Sequence, residues 1–75
     1  MNNELMRRDV AIEIIAEMIA DNSIKLENEK DEKCIKELES KIKKFETERE
    51  KIYLGYKETI NYVIDVYGSY LKEQR

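Results

Sequence analysis

Apolar residues recur at helical spacing along two stretches of the chain, and the polar residues between them suggest where each helix begins and ends. At about 100° per residue, Leu5, Ala11, Ile12, Ile14, Ile15, Ala16, Met18 and Ile19 fall on one arc about 200° wide, and Asp9, Glu13, Glu17 and Asp21 fill most of the rest. One neighbouring helix shields only about a third of a helix's circumference. This segment is therefore expected to pack against at least two others. Asn2 or Asn3 can cap its start with Glu4 in the first turn, and Asp21-Asn22-Ser23 is a cluster of turn-favouring residues. The spacing predicts a helix over about 4–20 and a turn at about 21–24. Ser23, Asn28 and Asp31 are the candidate caps for the second helix.

The second stripe runs through Ile35, Leu38, Ile42, Phe45, Arg49, Ile52, Tyr56, Ile60, Val63, Tyr67 and Leu71. Its steps of three and four average about 3.6 residues per turn, and the wider steps fall in the second half. A nearly straight helix from about 28 to 73 fits this better than a regular zipper. Glu29/Lys33, Glu32/Lys36, Glu37/Lys41 and Glu39/Lys43 add about 0.2–0.5 kcal/mol each with the acid in the favourable N-terminal place. Gly55 interrupts the stripe. A lone glycine costs about 1 kcal/mol in a helix interior, so the primary reading is a continuous helix bent at Gly55. A break at 54–56 that starts a third helix is the alternative.

Residues 25–51 carry nine basic and nine acidic side chains around a stripe one residue wide, whereas the stretch from Ile52 onward is Tyr-rich and sparsely charged. At about 1.5 Å per residue the first helix spans about 25 Å and the second about 70 Å. A short connection would lay the first over the charged half of the second and leave the 52–71 face uncovered, which is more apolar surface than a soluble monomer exposes. The expected fold is all-α: an antiparallel helical hairpin with a short N-terminal and a long C-terminal helix, in a single domain over 1–75, assembling into a homodimeric helical bundle or higher oligomer. The expected interface is Ile52, Tyr53, Tyr56, Ile60, Val63, Ile64, Tyr67, Tyr70 and Leu71.

Composition narrows the chemistry. The chain has 75 residues, 14 basic against 17 acidic, one cysteine, no histidine, no proline and no tryptophan. Without histidine there is no Ser-His or Cys-His nucleophile and no usual zinc site, and Cys34 has no intrachain disulfide partner. Glu13 and Glu17 interrupt the apolar segment 10–20, which argues against an export signal. No apolar run reaches the length of about 20 residues that a membrane span needs. A cytoplasmic location is expected. The net charge of −3 lies within residues 1–24, which carry two basic and five acidic side chains. That balance disfavours nucleic acid as a partner.

Tyr62 projects to the polar side of its helix, making it a candidate contact for an outside protein, as are Arg7, Arg8 and the stripe residue Arg49. The first reading of Arg8 and Arg49 is nonetheless as side chains that snorkel from apolar faces. The pairs Glu13/Glu17 and Glu46/Glu50 read as solvated faces, and Cys34 as a small semi-buried hydrophobe. No catalytic residue, cofactor or metal ligand is expected. The functional expectation is a non-enzymatic protein-interaction module, a small inhibitor or regulator of a larger protein such as phages and mobile elements carry against host defences. The alternatives are an oligomeric nucleotide binder, with Arg7, Arg8 or Lys57 on a phosphate, and an antitoxin-like or transcription-regulating dimer.

Overall fold

The computed structural model describes the backbone of residues 3–74 and the side chains of residues 6–74. Helix α1 runs Asn3–Asn28 and α2 runs Glu32–Tyr53. The C-terminal helix is built of α3 (Lys57–Tyr62), a π-helical turn at Val63–Tyr67 and α4 (Gly68–Gln74). Right-handed helical dihedrals at Tyr62, Val63 and Gly68 carry the backbone through both junctions, so these segments form one rod. The described residues are thus all-helical, in three helices and with no strand.

Two boundaries differ from the sequence reading. The first helix does not stop near residue 20, because Asn22 turns its polarity inward: its Nδ2 donates to the Met18 carbonyl at 2.8 Å, and the residue is buried. Asn28 does the same with the Ile24 carbonyl at 3.0 Å. A side chain satisfied on its own helix no longer competes for a turn. The connection lies instead at 29–31, where a Glu29 carboxylate oxygen accepts from the N–H groups of Lys30 and Asp31. Asp31 caps α2 by accepting from the Lys33 N–H at 2.9 Å.

The second difference is larger. The helix expected to run from about 28 to 73 breaks at 54–56, the position of the alternative reading. Gly55 has φ +85°, in the left-handed region that glycine enters without steric cost. Around it the Tyr56 N–H reaches the Lys51 carbonyl at 3.1 Å, and the Gly55 N–H reaches that of Ile52 at 3.0 Å. These two bonds make a Schellman motif, which satisfies carbonyls that the end of α2 would leave unpaired. The chain turns back and lays the rest of the stripe on α1 and α2.

The core therefore draws on all three helices: Ala11, Ile15 and Met18 from α1, Phe45 and Ile52 from α2, and Ile60, Val63, Tyr67 and Leu71 from the C-terminal helix. Ile15, Ile52 and Val63 are fully enclosed. The wide apolar arc of α1 meets two neighbours, as its width requires. The C-terminal helix runs parallel to α1 in constant register. Arg7 bonds Asn61, 54 positions on, Val10 shares a groove with Ile64, and Ile14 lies against Gly68. At Gly68 an added Cβ would sit 3.2 Å from Ile14 Cδ1, so a small residue sets that approach. The third helix is shorter than the hairpin it covers. Between Asn22 and Phe45 no residue is fully buried, and Leu26, Cys34, Ile35, Leu38 and Ile42 are half-buried in a two-helix arm.

Candidate functional site

The face assigned to a dimer divides in two. Ile52, Ile60, Val63, Tyr67 and Leu71 are buried in the chain's own core, and Ile64 is half-buried beside α1. These residues are not free for another molecule, because the break at Gly55 folds them inward. Tyr53, Tyr56 and Tyr70 remain exposed, at 58%, 54% and 42%. Leu54, which the stripe passes over, is the most exposed large apolar side chain described, at 67%. Tyr53, Leu54 and Tyr56 crowd the elbow around Gly55. A leucine and two tyrosines abutting a glycine at a candidate helix stop were the sequence signal for such a tip.

Tyr62 does not stand alone on a polar side. The Gly68 N–H donates to the Val63 carbonyl five residues back, and this wider turn brings Tyr62 and Tyr67 edge-to-face with ring centroids 5.3 Å apart. Tyr67 makes a second edge-to-face contact, at 5.3 Å, with Phe45 of α2. Its hydroxyl donates to the Glu48 carboxylate at 2.9 and 3.2 Å. Burial first, and then the bond to Glu48, push the Tyr67 pKa well above the usual phenol range. The trio holds the C-terminal helix onto α2. Tyr62 is still 46% exposed, and Val66 and Tyr70 succeed it at helical spacing as an exposed row.

The candidate arginines separate. Arg7 is exposed, and its guanidinium donates to Asn61 Oδ1 at 2.9 Å. Together with Lys57, Ile60 and Asn61 it lines a cleft of about 190 Å³. Arg8 is half-buried, with its Nε enclosed and unpartnered, and does not line that cleft. Arg49 is half-buried on α2. Cys34 is half-buried near the hairpin turn, and desolvation followed by the carboxylates of Glu29, Asp31 and Glu37 raises its pKa. This keeps the thiol protonated, the reverse of an activated nucleophile. Among the described residues no three carboxylate, Cys or His groups are placed to hold a metal ion, and no helix is long and apolar enough to cross a membrane.

Fold and surface together define a small three-helix protein with a closed core and an apolar, aromatic tip at one end. Comparison with protein-family models, curated proteins and solved structures gives no match.

Proposed function

We propose that the chain is a non-enzymatic protein-interaction module, a small inhibitor or regulator that grips a larger protein through its elbow. The observation that carries this reading is the exposure of Tyr53, Leu54 and Tyr56, at 58%, 67% and 54%, on a turn of fixed shape. The turn leaves more than half of each of these side chains uncovered. In a Schellman motif the residue after the glycine customarily packs on an apolar side chain of the last helical turn, but here that turn offers the exposed, charged Glu50 and Lys51, and Tyr56 stays exposed. Tyrosines with few rotors on a preorganised turn give large contact area at low entropic cost, the usual character of an interface hot spot. Arg7 and Lys57 adjoin the elbow through their cleft and supply cationic groups at its edge.

The nucleotide-binding alternative has one supporting observation, the meeting of Arg7 and Lys57 in that cleft. Its volume of about 190 Å³ falls below the range of about 300–1,000 Å³ usual for small-molecule sites, so the protein-binding reading stands first. A photo-crosslinking residue at position 54 tests it against one at Ser40, an exposed polar site on α2. In lysate of the source cells, position 54 should trap one protein species that position 40 does not, and the Tyr53→Ser/Tyr56→Ser variant should lose it. Equal, diffuse labelling from both positions would refute the reading.

A further inference from the structure

Away from the elbow, a continuous apolar groove runs between α1 and the C-terminal helix. Its two sections, of about 390 and 360 Å³, share Val10 and Ile64, and Gly68 lines the larger one. From α1 the groove takes Met6, Arg7, Val10, Glu13, Ile14 and Glu17. Arg7, Val10, Ile14 and Glu17 are separated by steps of three, four and three, the spacing of a two-helix seam, with Met6 and Glu13 one heptad apart at its flank. Met6 and Val10 are 59% and 45% exposed. Ile14 packs on the core beside Gly68, whereas Met6 and Val10 at the outer flank stay exposed, so α1 keeps apolar surface beyond the core stripe Ala11, Ile15 and Met18.

We infer that this groove is a homodimer interface in which α1 of a second copy lies antiparallel along α1. The charge order selects both the occupant and its direction. Arg7 lies at one end of the seam and Glu17 at the other. A two-fold axis between Val10 and Ile14 places Arg7 opposite Glu17 of the partner subunit, twice by symmetry, and pairs Val10 with the partner's Ile14. A parallel arrangement would set Arg7 on Arg7 and Glu17 on Glu17. The C-terminal helix reinforces the antiparallel choice. Its constant register on α1 puts Lys57 and Asn61 at the Arg7 end, in the cleft they share, where the partner's Glu17 arrives. Lys72 stands near the Glu17 end, where Glu13 and Glu17 outnumber it. The interface buries Met6 and Val10 and completes the cover of Ile14 and Ile64. Tyr53, Leu54 and Tyr56 do not line this groove, although its Arg7 end adjoins the cleft at the edge of the elbow.

Sedimentation analysis of the full chain up to about 100 μM tests the inference. The wild type should be dimeric. Val10→Asp and Met6→Glu, both at exposed positions, should be monomeric with unchanged helicity by circular dichroism. Arg7→Glu and Glu17→Arg should each weaken the dimer at least about tenfold, and the two together should restore it to within about threefold of wild type. A wild-type monomer throughout that range, or a dimer that survives Val10→Asp, would overturn the interface. A double charge reversal no better than the single changes would overturn the antiparallel pairing.

Discussion

Replacing Gly55 by alanine separates backbone conformation at the elbow from packing. No atom lies within 4 Å of where a Cβ would sit, so the substitution meets no clash. What changes is the local free energy: at φ +85° an alanine is disfavoured by about 1–2 kcal/mol, while in an uninterrupted helix it is favoured over glycine by about 1 kcal/mol. The balance between elbow and straight helix thus moves by about 2–3 kcal/mol. Against this stands the burial of Ile60, Val63, Tyr67 and Leu71. At about 1.5–3 kcal/mol per large apolar side chain the sum exceeds that shift, so the elbow should survive in a less stable protein. Alanine also restricts the unfolded chain, which offsets about 0.4–1 kcal/mol. The expected net loss is about 1 kcal/mol in urea unfolding monitored by circular dichroism, with an unchanged m-value. Gly55→Asn, which tolerates the left-handed region better, should lose less. Stability equal to or above wild type in Gly55→Ala would refute the account of why the chain turns here. So would a more elongated particle in sedimentation, the sign of a straightened helix.

Two further outcomes rest on the contacts between helices. Tyr67→Phe removes the donor to Glu48 while keeping both ring contacts, and should lower stability by about 1–2 kcal/mol in urea unfolding. Because folding raises the Tyr67 pKa, its contribution is complete below the unfolded phenol value of about 10 and is lost as pH rises above it. Wild-type stability should therefore fall towards Tyr67→Phe at high pH, and a constant gap between the two would refute the Glu48 bond. Gly68→Val forces branched methyls onto Ile14 and should cost about 1–3 kcal/mol by thermal unfolding. A neutral result would mean that α1 and the C-terminal helix are not in close contact at this point.

How much of this was legible in the chain varies from residue to residue. The arc from Ala11 to Ile19 announced a helix needing two neighbours, and α1 has them. Asp31 was among the possible caps and is the one used. Asp21-Asn22-Ser23 misled because turn propensity describes a residue that competes with the backbone, whereas Asn22 bonds back to its own helix in a buried place. The wider steps from Ile52 onward pointed to a nearly straight helix, and neither to the π-helical turn at Val63–Tyr67 nor to the Tyr62–Tyr67 contact that it creates. Leu54 escaped notice because periodicity ranks residues by face, and a turn has no face.

The chain by itself fixed helicity, the residues sharing each stripe, and the lack of histidine chemistry, because these depend on local spacing and residue type. It left open what covers the stripe from Ile52 to Leu71. A second copy and the chain's own α1 satisfy the same periodicity equally well. Only the fold chooses between them, through a left-handed glycine that lets the last helix return, and through a close approach at Gly68 that lets it pack once it has returned. With that stripe enclosed, the groove beside Val10 and the elbow at Tyr53, Leu54 and Tyr56 are the apolar surfaces on which the proposed contacts rest. Both arise where separate helices meet or turn, beyond the reach of a pattern read along one of them.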